Sequence, residues 1–163
     1  MPKVETSGPE AVVETIFGFA STPVAEWDVA RFQDYWVGLE PDLPEALQRL
    51  QQPIDQILGF RSLPSNWDSY GSRPVEDRAI ACGLVLLIRA ESENADAPHV
   101  CPVPGGGVQL EWQAGQRALE LEALPDGSAQ FLRVDGQTMD EGPLDPRSTA
   151  DVRSLLRWLR AKR

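Results

Sequence analysis

Three glutamates stand at alternate positions of two short runs in which apolar and polar residues take turns. Val108, Leu110 and Trp112 alternate with Gln109 and Glu111, and Leu119, Leu121 and Ala123 alternate with Glu120 and Glu122. A period of two sends successive side chains to opposite faces of a strand. Glu111, Glu120 and Glu122, with Gln109 and Gln130, are therefore predicted to share one face of an antiparallel sheet. Carboxylates on neighbouring strands come within roughly 5–8 Å of one another, where like charges are destabilising. Water, a cation or a basic partner must relieve them, so the face is expected to stay open instead of being sealed beneath the chain's own helices. Glutamates projecting from mid-strand onto an open face lack the cleft and supporting hydrogen bonds of a metal-dependent nuclease. That chemistry is the weakest of the three.

His99 and Cys101 are two apart, share a strand face, and with Cys82 would supply three ligands. A zinc site needs a fourth ligand and the usual C-x-x-C or H-x-x-x-H spacing; neither is present, and the expectation is no metal and no cofactor. His99 is the single histidine, no Gly-x-Ser-x-Gly turn occurs, and neither cysteine has a base beside it in the sequence. No catalytic residue is assigned.

Two further segments carry chemistry-bearing residues. In Leu63 to Pro74, Asn66 and Asp68 are able to bond their own backbone, Gly71 is able to take positive φ, and Pro74 leads into a helix. As a binding loop it would offer Asn66, Trp67, Asp68, Tyr70 and Arg73 to an anion or nucleotide near a helix N-terminus and beside Trp112. As a structural loop, Trp67 and Tyr70 would plug the gap between helices and sheet. Gly105, Gly106 and Gly107 lack the Gly-Lys-Ser/Thr ending of a phosphate-binding loop and precede a strand, so they predict a hairpin turn, or a close approach of another backbone.

The elements that must hold these groups follow from periodicity. Residues 1–9 read as an arm and Pro9 to Gly18 as a short helix. A longer helix capped at Thr22-Pro23 carries Ala25, Val29, Phe32 and Trp36 at helical steps. Six of the chain's aromatics (Phe17, Phe19, Trp27, Phe32, Tyr35 and Trp36) fall within residues 17–36, with Trp27 off the stripe; they wrap the core or meet a partner. Pro41 and Pro44 bracket a turn, and Pro53 is expected to break or kink the helix running from Pro44 to Phe60. Ile80 to Ile88, apolar almost all round, predict a buried central helix. Strands follow from residue 99, with Leu110 expected beside Leu119 and Leu121 beside Phe131, and with residues 137–141 as a short edge strand. Val152, Leu155, Leu156 and Leu159 mark a closing helix. The prediction is one α+β domain over residues 1–163: an arm at 1–9, a helical part at 10–60, and a helix, a three- to five-stranded antiparallel meander and a C-terminal helix at 61–163.

Charge narrows the partners. Twenty-five acidic residues against fifteen basic leave −10, which argues against phosphate-backbone binding. Residues 146–163 run the other way, with Arg147, Arg153, Arg157, Arg160, Lys162 and Arg163 against Asp151, as suits a helix C-terminus. The longest apolar run, Ala79 to Ile88, is too short to cross a bilayer, and charges interrupt any secretory h-region at the start. A cytoplasmic, membrane-free protein is expected.

The segment Asn66-Trp67-Asp68-x-Tyr70-Gly71-x-x-Pro74, followed by Gly106-Gly107-Val108-Gln109-Leu110-Glu111-Trp112, Leu119-Glu120-Leu121-Glu122 and Pro125-Asp126-Gly127, resembles a group of small uncharacterised bacterial proteins over about residues 62–134. The resemblance implies an α+β domain and a bacterial origin, and brings no reaction, cofactor or site residue. The residues themselves favour a non-enzymatic interaction domain whose acidic face binds or neutralises a basic protein, in the manner of an antitoxin or immunity protein. The alternatives are a small enzyme or anion-binding domain using Asn66 to Arg73, and a structural subunit docking through aromatic residues 17–36.

Overall fold

The computed structural model describes residues 26–39, 43, 45–91 and 95–161. Helix α1 spans Val29–Leu39 and α2 Glu45–Gln48. Helix α3, Gln51–Gly59, runs on through a single 3-10 turn at Phe60–Ser62, and α4 spans Asp77–Glu91. Five strands follow, β1 His99–Val103, β2 Gly107–Ala114, β3 Arg117–Ala123, β4 Ala129–Asp135 and β5 Thr138–Leu144, before α5 at Thr149–Arg160 closes the chain. The strands form one antiparallel meander in sequence order, so the α+β prediction holds. The expected arm, first short helix and Thr22-Pro23 cap lie outside the described residues.

Helix α4 is the axis of the molecule. Every residue from Ala79 to Glu91 is buried, because sheet, α3 and α5 cover it from different sides. A fully buried leucine or isoleucine contributes roughly 1.5–3 kcal/mol, so Ile80, Leu84, Leu86, Leu87 and Ile88 make this the core's main source of stability. Gly83 lets helix and sheet approach: a Cβ there would lie 3.0 Å from Val108 Cγ1. Helix α5 packs Val152, Leu155, Leu156 and Leu159 inward, and Ser148 caps it by accepting from the Asp151 amide.

The helices gather on the sheet face carrying Val108, Leu110, Leu119, Leu121 and Ala123, all fully buried. The opposite phase holds His99, Cys101, Gln109, Glu111, Glu120, Glu122, Gln130, Leu132, Met139, Glu141 and Pro143, half-buried to exposed. The predicted division of faces is therefore observed, but the register differs by two residues. Leu110 pairs with Leu121 and Trp112 with Leu119, while Leu121 does lie opposite Phe131. The tight turn at Gly115 and Gln116, which joins the pair Ala114 and Arg117, sets this alignment. An even slip leaves every side chain on its face.

Two local expectations are corrected. Pro53 sits in the first turn of α3, where its missing N–H costs nothing; the break falls earlier, at Arg49 and Leu50. Trp27, off the α1 stripe, is buried in the core just ahead of α1, as the core-wrapping reading of these aromatics expects. The edge strand β5 is seven residues long and pairs with β4 along its whole length.

Candidate functional site

The outer face is built in rows that cross the strands. Register pairs link His99 to Glu111, Glu111 to Glu120, Glu120 to Leu132 and Leu132 to Glu141; the neighbouring row runs Cys101, Gln109, Glu122, Gln130, Pro143. Sheet geometry brings directly opposed side chains to roughly 4.5–5.5 Å at Cβ, so Glu111 and Glu120 are forced together by the same alignment that buries Leu110 and Leu121.

Charges are sorted by strand phase. The two arginines of the sheet point to the helix side, and each meets the aspartate directly opposite: Arg117 Nε donates to Asp135 Oδ2 at 3.0 Å and Arg133 Nε to Asp140 Oδ2 at 2.7 Å. Both guanidiniums also lie over Trp158, 5.2 and 5.4 Å from its ring centre, and Arg117 Nη1 donates to the Trp158 and Ala161 carbonyls at the end of α5. The outer phase carries four glutamates and no arginine or lysine. Among the described residues, Glu111 meets His99 and accepts from Gln109 Nε2 at 2.8 Å, and Glu122 accepts from Gln130 Nε2 at 2.8 Å. None of Glu111, Glu120 and Glu122 is paired with an arginine or lysine there. Partial burial, followed by the nearby charges of Glu111 and Glu122, holds the Glu120 carboxyl above the ordinary glutamate range. Beside it a groove of about 690 Å³ runs along Glu120, Glu122, Gln130, Leu132, Glu141 and Pro143.

At the β1 end of the face, His99 Nδ1 lies 3.3 Å from Glu111 Oε2 and Cys101 Sγ 3.8 Å from Glu111 Oε1. Burial, then Glu111 and Glu120, push the Cys101 thiol up to about 11. Cys82 is elsewhere, fully buried on α4 with Sγ 3.8 Å from the Ser128 carbonyl, so the grouping of His99, Cys101 and Cys82 does not form. Its third member is Glu111, which faces His99 across the ladder.

The Asn66 to Arg73 loop spends its polar groups on itself. Asn66 Oδ1 accepts from the Gly71 amide at 2.7 Å; Asp68 Oδ1 accepts from the Tyr70 and Ser72 amides and Asp68 Oδ2 from the Ser72 hydroxyl at 2.6 Å. The Ser72 hydroxyl and Tyr70 amide bonds hold Asp68 below the ordinary carboxylate range. Asn66, Ser69 and Gly71 all adopt positive φ, as the tight loop requires. Trp67 Nε1 donates to the Arg73 carbonyl and Arg73 Nε to that of Gly105 at 2.8 Å. Tyr70 is 93% exposed and plugs nothing. The loop docks on the β1–β2 turn, where a Cβ on Gly106 would lie 3.1 Å from the Pro74 carbonyl, so the close backbone approach expected at these glycines is made by the chain itself. Trp112 is five residues beyond Gly107, where β2 starts, roughly 17 Å along the strand, and its Nε1 donates to the Asp96 carbonyl. The loop and Trp112 are not one site.

Glu141 and Met139, the latter 66% exposed, join the outer face without having been singled out in the sequence. The alternation Met139, Glu141, Pro143 carries the signal, although an edge strand ending at residue 141 shows only the first two of its three members. Compared with known protein families, with curated proteins and with solved structures, the chain matches none.

Proposed function

We propose that this chain is a non-enzymatic bacterial, cytoplasmic interaction domain whose open sheet face binds and neutralises a basic protein partner, as antitoxins and immunity proteins do. One observation carries the reading: the sheet's arginines are all used on the helix side, while the outer phase gathers Glu111, Glu120, Glu122 and Glu141 without a cationic side chain of its own. A partner bearing lysines or arginines would relieve the repulsion at Glu111 and Glu120 and gain long-range attraction from a molecule of net charge −10. Half-buried Leu132 and exposed Met139 add apolar contact in the same face.

The alternatives have less behind them. Asn66 Oδ1 and Asp68 are committed to bonds within the loop and Arg73 Nε to the Gly105 carbonyl, and the Asp68 carboxylate at the loop's centre opposes an anion. Trp27, Phe32 and Trp36 are buried in the chain's own core, and Phe17 and Phe19 lie outside the described residues. No helix among the described residues is long and apolar enough to cross a membrane.

The test is affinity capture from the source cell with wild type and with a chain carrying Glu111→Lys and Glu120→Lys. A basic protein retained at moderate salt by the wild type and lost by the variant, at unchanged melting temperature, supports the reading. Equal capture by both overturns it.

A further inference from the structure

We propose that His99, Cys101 and Glu111 form a binding site for a divalent transition-metal ion of zinc's class at the β1–β2 end of the outer face. The Nδ1 or Nε2, Sγ and carboxylate donor atoms all lie within 4.8 Å of one another, with Nδ1 to Oε2 at 3.3 Å and Sγ to Oε1 at 3.8 Å. Zinc bonds of 2.0–2.3 Å in a tetrahedron require donor atoms roughly 3.3–3.8 Å apart, so a metal would draw the three together by small side-chain movements alone.

The backbone already fixes the arrangement. His99 and Glu111 are direct register partners, and Cys101 follows His99 by two positions on the same face of a continuous ladder. Gln109, the register partner of Cys101, donates to Glu111 Oε1 at 2.8 Å and orients that carboxylate, the kind of supporting bond that metal ligands use. A nitrogen, a sulfur and an oxygen donor select zinc, cobalt, nickel or copper over magnesium and calcium, which take oxygen ligands. The His99 side chain is 70% exposed and that of Glu111 39%, so the fourth position opens to solvent and would hold water or an incoming ligand. On binding, the Cys101 thiol gives its proton to solvent as the sulfur–metal bond forms. The site shares Glu111 with the partner reading but does not rest on it, and its test involves no partner.

The experiment is titration of the reduced, chelator-treated full-length chain with Co²⁺, read as sulfur-to-cobalt charge-transfer absorption, then with Zn²⁺ as competitor. One equivalent of Co²⁺ should produce the absorption and one of Zn²⁺ should remove it. Cys101→Ser should abolish it, His99→Ala and Glu111→Gln should each weaken binding at least tenfold, and Cys82→Ala should leave it unchanged. Gln109→Ala should weaken binding by roughly tenfold. Far-ultraviolet circular dichroism confirms folding of each variant. Absence of the absorption in folded wild type, its persistence in Cys101→Ser, or indifference to both His99→Ala and Glu111→Gln overturns the proposal.

Discussion

Glu111 on β2 and Glu120 on β3 are direct register partners on the open face of the sheet, whereas Arg117 and Arg133, one residue phase away, each face an aspartate. The same ladder thus neutralises charge on its covered side and concentrates it on its uncovered one. Opposed like charges cost stability, and that cost is what a cationic ligand would recover.

Glu120→Gln should stabilise the isolated chain at neutral pH by on the order of 0.5 kcal/mol, the scale of a cross-strand charge pair. A carboxyl held above its unfolded range favours folding while protonated, and that stability is lost as pH rises through the folded-state value. The advantage of the variant should therefore vanish below the ordinary glutamate range. Denaturant melts at pH 7.5 and pH 3.5 measure both; a destabilised variant at pH 7.5 would contradict the assignment.

Arg49→Ala should destabilise through Glu91. The Glu91 side chain is 5% exposed and accepts from Arg49 Nη2, and burial raises its carboxyl despite the guanidinium. Losing Arg49 leaves a buried carboxylate without this partner, at roughly 1–3 kcal/mol. The sign is again that of a raised carboxyl: the loss is full at pH 8 and shrinks as protonation of Glu91 sets in on the way to pH 4. A loss that grows toward acid pH would contradict this.

Gly83→Ala should lower stability although alanine favours a helix by up to about 1 kcal/mol over glycine. The added Cβ would sit 3.0 Å from Val108 Cγ1 and 3.4 Å from its Cβ, and overpacking costs roughly 1–3 kcal/mol. Combining it with Val108→Ala should recover part of the loss. A Gly83→Ala chain more stable than wild type would show that α4 does not cross the sheet so closely.

The fold was legible where one period dominated. The alternation from Val108 to Ala123 assigned each side chain to its face, and the all-apolar run around Leu84 marked the buried helix. What periodicity does not encode is alignment: Leu110 meets Leu121 because Gly115 and Gln116 make the turn, and a shift of two leaves the pattern unchanged. His99 and Glu111 likewise stand twelve residues apart and become neighbours only through that alignment, so spacing rules along the chain pair His99 and Cys101 with the wrong third residue. The Asn66 to Ser72 loop was legible as a self-bonded turn, but Tyr70 was not, since nothing in its neighbours' chemistry separates a ring turned outward from one turned in.

The most direct test of the acidic face is the association rate with the captured basic partner, measured at low and physiological ionic strength for wild type and for the chain with Glu111→Lys and Glu120→Lys. Electrostatically steered association falls steeply with salt. The wild-type rate should drop by roughly tenfold or more, and the variant should associate slowly with a shallow salt dependence. Equal rates and equal slopes for the two chains would contradict the account.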